Sequence, residues 1–333
     1  MPDWLLATVF VMAAAVSLAT SWVLVSRLER VGARLGLSEA LLGMLAALAA
    51  DAPEITSAST ALIGHQSQIG AGVVIGSNVF NLAALLGLAA VVAGRISLHR
   101  RVILLEGAVA LPIAGICLAA VLGGLAPPIA LIAVALVLIP YLVVLGVSRD
   151  RLAGLGLPQS WTRWLGEAIA EEETELEPAI HPRRARFADE VTAAIAVLIV
   201  IGASVAMEQT GARIGARHAV PDIVIGGLVL ACVTSLPNAV AALYLAGRGR
   251  GAATLSTALN SNALNVAIGL LVPGTIVGLG APSGRATLIA VWYLGLTGVA
   301  LACAYAGRGL RRGHGALIIG CYVAFVATIL VIS

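Results

Sequence analysis

LAALAADAPEITSASTALIGHQSQIGAGVVIGSNVFN, residues Leu45 to Asn81, sets two carboxylates, a proline and a run of hydroxyl and amide side chains inside a stretch otherwise apolar enough to cross a bilayer. A carboxylate at the centre of a membrane helix costs roughly 2.5–3.5 kcal/mol on insertion scales, so Asp51 and Glu54 together cost roughly 5–7 kcal/mol unless something compensates. No Lys or Arg lies in any apolar stretch of the chain. A cation from outside is the economical partner for the two acids.

The composition agrees with a membrane setting. Of 333 residues, 60% are hydrophobic and only 11% charged, with a mean hydropathy of +1.01, against roughly 25% charged in an average soluble domain. Lysine is absent and all 20 basic residues are arginine. Cys117, Cys232, Cys303 and Cys321 fall in apolar stretches without paired spacing, and read as small core residues rather than disulfides or metal ligands. The first apolar segment, from Trp4, lacks a charged leader and a small-residue cleavage site, and reads as a retained helix.

Apolar windows of about 20 residues, the length a ~30 Å hydrocarbon core requires, fall near 4–26, 39–64, 70–94, 102–123, 127–147, 188–208, 220–246, 251–280, 286–306 and 315–332. The pattern predicts an all-α integral membrane protein with ten transmembrane helices. Seventeen of the arginines follow odd-numbered spans, whereas Arg213, Arg217 and Arg285 lie on the other side. The positive-inside rule then places both termini outside the cytoplasm of a multi-pass protein of the cell membrane. The one long polar segment, 148–187, divides the chain into halves of five spans, 1–147 and 188–333. Its acidic run, Glu171 to Glu177, reads as a solvated linker, and Trp161, Trp164, Leu165 and Ile169 as one face of a short helix on the membrane surface.

Sliding the chain by 184 residues superposes Gly43 on Gly227, Ala47 on Ala231, Pro53 on Pro237, Ser77 on Ser261, Asn78 on Asn262 and Asn81 on Asn265 without a gap. Because an odd number of spans intervenes, the copies cross in opposite directions, as two inverted five-helix repeats. Pro53 and Pro237 sit within spans 2 and 7, where proline withholds an amide from the carbonyl four residues earlier and breaks the helix. Asp51 and Glu54, three residues apart, project from one helix face. Two carboxylates that close repel, and a cation or a proton relieves the repulsion, so protons compete with the cation.

The candidate ligands are hard oxygens: Asp51 and Glu54; the hydroxyls of Ser77, Thr234, Ser235 and Ser261; the amides of Asn78, Asn81, Asn238, Asn262 and Asn265; and backbone carbonyls near the prolines, those of Ala47, Ala50 and Ala231 among them. Such a set suits Ca²⁺ or Na⁺ rather than zinc, copper or iron. His65, His99, His181, His218 and His314 fall in loops or at span ends and read as solvated. Ser38 with Glu39, and Asp222 after Pro221, read as helix N-termini, and Glu106 (within reach of Arg101) and Glu208 as interfacial. Gly72 and Gly76 have the spacing that lets helices approach closely.

Ala52-Pro53-Glu54 with Gly76-Ser77-Asn78-Val79-Phe80-Asn81, and Thr234-Ser235-Leu236-Pro237-Asn238 with Asn260-Ser261-Asn262-Ala263-Leu264-Asn265, resemble the two α-repeats of the cation/calcium exchanger superfamily, sodium/calcium exchangers among them. The resemblance implies antiport of Ca²⁺ against Na⁺ or H⁺ by alternating access. It also implies that the first span of each half slides past a fixed core, and that two repeat glutamates share the Ca²⁺. In this chain Asn238 replaces the second glutamate, and Ala50-Asp51 the Thr-Ser pair before the first proline. We expect Asp51 to restore the second negative charge. The chain would need no cofactor and no nucleic acid; its partners would be the lipid bilayer and inorganic cations, and it would act as a monomer. Other readings are an antiporter of Mg²⁺ or of monovalent ions only, a non-transporting cation sensor, and an intramembrane acid-pair enzyme. The last fits poorly, because such a pair would come from two different helices.

Overall fold

The computed structural model describes residues 1–35, 39–146, 158–176 and 187–332. Its helices are α1 (Asp3–Arg34), α2 (Glu39–Ala50), α3 (Ala52–Ile63), α4 (Ser67–Ala93), α5 (Arg100–Val121), α6 (Pro127–Gly146), α7 (Gln159–Leu176), α8 (Phe187–Arg217), α9 (Asp222–Thr234), α10 (Leu236–Gly247), α11 (Gly251–Val277), α12 (Gly284–Gly307) and α13 (Arg312–Ile332). Among the described residues, eight helices are long and apolar enough to cross a membrane, and the bent pair α9–α10 makes a ninth. The α2–α3 pair consists of two 12-residue helices meeting at Asp51. Among the described residues, a short antiparallel ribbon, β1 (Arg95–Ser97) with β2 (Gly309–Arg311), is the one feature outside the all-α expectation.

Burial separates the helices into a centre and a rim. The apolar windows of α4 and α11 are 89% and 83% buried, against 22% for α1 and 28% for α8. The two central helices carry the polar sequences Gly76–Asn81 and Asn260–Asn265, so the least accessible helices enclose polar side chains. Each passes into a π-helical stretch right at its last asparagine, Leu82–Leu88 after Asn81 and Asn265–Leu271. Such wider turns are frequent at functional positions.

Glycine brings α4 and α9 together. A Cβ on Gly76 would lie 2.2 Å from the Gly227 oxygen, one on Gly72 2.8 Å from the Gly227 nitrogen, and one on Gly226 2.3 Å from the Ile69 oxygen. These are backbone-to-backbone crossings that no larger residue allows. They seat the bend of α9–α10 against the middle of α4.

At the rim, α1 and α8 run antiparallel. Arg27 and Arg30 donate to Asp189 at 2.6 and 3.1 Å, Arg34 pairs with Glu190 at 2.6 Å, and at the far end Arg217 pairs with Asp3 at 2.7 Å. The Ser17 and Ser204 hydroxyls meet midway at 3.1 Å.

The described part of the segment between the halves is helical. The acidic run through Leu176 continues helix α7, as its Glu and Leu content favours. That helix packs on α2, α5 and α11, burying Ala168 and Ile169, while Trp161 faces outward. Ile169 thus touches protein, not lipid. The readings for Ser38, Glu177, His181, Arg149, Arg151, Arg183, Arg184 and Arg186 lie outside the described residues.

Candidate functional site

Both helix breaks occur where proline withholds a donor. Pro53 supplies no amide to Ala49, and Pro237 none to Val233. The chain turns at Asp51 and at Ser235, and α9 and α10 meet at 43°. The carbonyls proposed from sequence fare differently. Ala47 accepts the Asp51 amide at 2.9 Å, and Ala231 accepts the Ser235 amide at 3.2 Å. These two remain in helical bonds, so the proline-freed carbonyls of Ala49 and Val233 are the more available ones.

The breaks face each other across α4 and α11, and the acids point inward. Asp51 and Glu54 are both 0% exposed. Asp51 Oδ1 accepts Asn238 Nδ2 at 2.6 Å and the Ser261 hydroxyl at 2.6 Å. Glu54 accepts the Ser235 hydroxyl on Oε1 and Asn265 Nδ2, at 2.7 Å, on Oε2. Each carboxylate of the first half is therefore held by donors from the second.

A second ring of amides ties α4 to α11. Asn78 Nδ2 donates to the Asn262 carbonyl and Asn262 Nδ2 to the Asn78 carbonyl, both at 3.1 Å. Asn81 Nδ2 reaches Ser261 Oγ and Asn262 Oδ1, each at 3.1 Å. Ser77 and Thr234 bond only carbonyls of their own helices, Val74 at 2.9 Å and Leu230 at 2.9 Å. Four buried oxygens of the cluster have no donor: Asp51 Oδ2, Asn81 Oδ1, Asn238 Oδ1 and Asn265 Oδ1.

The sequence profile of the sodium/calcium exchanger proteins matches residues 5–149 and 191–331. The chain belongs to the sodium/calcium exchanger family. Over 93 residues it is 29% identical to CaxA of Alkalimonas amylolytica, named as an antiporter; the match covers 28% of this chain and 29% of that protein, under a third of its length. The fold of this exchanger superposes on the crystal structure of the H⁺/Ca²⁺ exchanger CAX with a TM-score of 0.72 at 13% identity, covering all of this chain and 87% of that one. On the sodium-calcium exchanger NCX_Mj the TM-score is 0.61 at 19% identity, over 98% and 99% of the two chains. At these identities the likeness is one of fold. Members of this family are transporters without cofactors, and the acid-pair enzyme reading falls away with them.

One carboxylate stands where sequence reading did not put it. Glu106 is 1% exposed and accepts the Tyr141 hydroxyl at 2.8 Å; it is not interfacial, and its expected neighbour Arg101 pairs instead with Glu167 of α7. Only the fold brings Tyr141 to it, 35 residues away. Glu208 is 2% exposed and lines a cavity of about 290 Å³ with Thr60, Gln66 and Arg213. Ser57, one turn beyond Glu54, donates to the Ser204 carbonyl at 3.5 Å; sequence reading passed it over, although it continues the Glu54 face at helical spacing.

Proposed function

We propose that this exchanger is a cation antiporter that carries Ca²⁺ in exchange for Na⁺ or H⁺. The observation that carries the reading is the group of four buried acceptor oxygens without donors around two carboxylates. Such oxygens cost free energy unless something electropositive reaches them. Two negative charges match a divalent ion, and oxygen ligands in flexible geometry suit Ca²⁺.

The ligand chemistry also explains release. Serine hydroxyls and asparagine amides both donate and accept. In the structure Asn238, Ser235, Ser261 and Asn265 donate to the carboxylates. On cation binding the same side chains rotate to offer oxygen, and on release they restore the donors. A site whose carboxylates find partners in both conditions holds its ion without trapping it.

The ten-span reading belongs here. Counting each broken pair as one crossing, α1, α2–α3, α4, α5 and α6 form the first half and α8, α9–α10, α11, α12 and α13 the second, with 148–187 as a cytoplasmic linker and both termini outside. The halves are inverted repeats. Their first spans, α1 and α8, form the rim pair that moves past the rest, and one chain suffices. Asp51, Glu54, Asn81, Ser235, Asn238, Asn265 and Ser261 are the inner ligand set; Ser77, Asn78, Asn262 and Thr234 support it.

The test is ⁴⁵Ca²⁺ flux in proteoliposomes under an imposed Na⁺ gradient and, separately, a pH gradient. One of the two should drive uptake against a Ca²⁺ gradient, and the driving ion identifies the countersubstrate. Absence of flux under both, with protein that still binds Ca²⁺, would leave a sensor rather than an antiporter.

A further inference from the structure

A cavity of about 720 Å³ lies where α5 begins and α12 ends. Its walls carry His99, Arg100, Arg101 and Arg308, with Glu167 as the one acid among the described lining residues. Arg100 and Arg308 are 208 positions apart, and the β1–β2 ribbon brings their segments together. The Leu98 amide bonds the Arg308 carbonyl at 3.4 Å. Arg308 itself has φ +47°, a left-handed conformation uncommon outside Gly, Asn and Asp. Strain of this kind persists where the surroundings impose it, and here it turns a guanidinium toward the cavity wall. The Arg100 guanidinium is held over the Tyr305 ring at 4.8 Å, and Arg101 pairs with Glu167.

The ribbon adds an independent sign of the same chemistry. Arg95 stands directly opposite Arg311. Cross-strand partners share a face, and Ile96 and Leu310 take the buried one, so two arginines lie side by side on the exposed one. Like charges in that register are unfavourable unless an anion lies between or beside them. The positive-inside rule asks for arginines in these loops but not for their convergence around a cavity.

We propose that this cavity binds the phosphate of an anionic phospholipid headgroup in the membrane leaflet it faces. Guanidinium forks match phosphate oxygens in pairs, and basic pockets between transmembrane helices on the cytoplasmic side hold such headgroups. The outward Trp161 on α7 places this end of the molecule at headgroup depth, because an exposed indole belongs at the membrane–water interface. A bound headgroup would bridge β1 of the first half, β2 of the second and the helix between them.

The experiment follows the melting of the purified full chain in neutral detergent as phosphatidylglycerol, phosphatidylcholine or inorganic phosphate is added. It compares the parent, Arg100→Gln/Arg308→Gln, and Arg285→Gln at the opposite end of α12. Phosphatidylglycerol should raise the parent's melting temperature saturably. Each arginine near an anionic surface is worth a factor of about five, so the double variant should need about 25-fold more lipid for half effect, while Arg285→Gln responds like the parent. Half-saturation unchanged in the double variant would overturn the proposal, as would equal weakening in Arg285→Gln or an equal response to phosphatidylcholine. Inorganic phosphate reproducing the full shift would overturn the lipid assignment. Transport is not measured, so failure of the antiporter reading leaves this outcome untouched.

Discussion

At an offset of 184 residues Asp51 falls on Ser235 and Glu54 on Asn238, and the structure pairs them crosswise: Asp51 with Asn238 at 2.6 Å, Glu54 with Ser235. The carboxylate absent from position 238 is thus replaced by one that touches position 238. If charge alone has moved, it can be moved back. Asp51→Ser should weaken Ca²⁺ binding severely. Two unit charges 4 Å apart interact by about 4 kcal/mol at an effective dielectric of 20, and a divalent ion doubles that, so even partial loss predicts a fall of about 100-fold. The double change Asp51→Ser, Asn238→Glu should recover most of it, because the new carboxylate stands across the same contact. Calorimetric titration of Ca²⁺ into the three proteins decides; equal loss in the single and double variants would refute relocation. Glu54→Gln has no such partner change and should stay weak in combination with either.

The broken helices depend on single residues in a different way. α4 passes α9 at backbone distance only because residues 72, 76 and 226 lack a Cβ. Gly76→Ala would drive a methyl into the Gly227 backbone, which cannot yield as a flexible side chain does. It should cost at least about 1–3 kcal/mol and lower the melting temperature in detergent. Gly115→Ala, in α5 with nothing within 4 Å of the added Cβ, should be neutral or stabilising by about 0.4–1 kcal/mol. Similar melting for the two would sink the crossing as the organising contact. Features of this kind are legible in a sequence because each rests on a residue with one physical meaning: proline inside an apolar run, glycine at four-residue spacing, acids without a local cation. The acid pair, the prolines and the amide motif therefore located the centre of the fold. Glu106 was misplaced because its burial depends on Tyr141 of another helix, and arginines nearby in sequence suggest an interface that the fold does not provide. Nor does any local pattern separate the helical acidic run of α7 from solvated linker, or foretell a ribbon joining residues 95 and 311.

At the scale of the molecule, alternating access needs one body to move against another, and the contacts mark where the division lies. α1 and α8 are among the least buried of the long helices, with α6 at 28% and α13 at 22%, yet ion pairs at both ends and the Ser17–Ser204 contact join them to each other. Toward the site α8 packs on α3, and their hydrogen bond among the described residues is the long Ser57–Ser204 one at 3.5 Å. Two rigid bodies should therefore meet between α8 and α3, not between α1 and α8. Paired cysteines separate these cases, in a background where Cys117, Cys232, Cys303 and Cys321 are replaced by alanine. Oxidising Ser17→Cys/Ser204→Cys ties α8 to the helix it travels with, and should leave at least about half of the Ca²⁺ flux, since a crosslink costs only the freedom it removes. Oxidising Ser57→Cys/Ser204→Cys ties α8 to the helix that bears Glu54, and should stop flux until a reductant is added. The same two proteins should bind Ca²⁺ alike, because neither crosslink touches a carboxylate. Arrest by the first crosslink as complete as by the second would place the sliding boundary inside the α1–α8 pair and discard the two-body description.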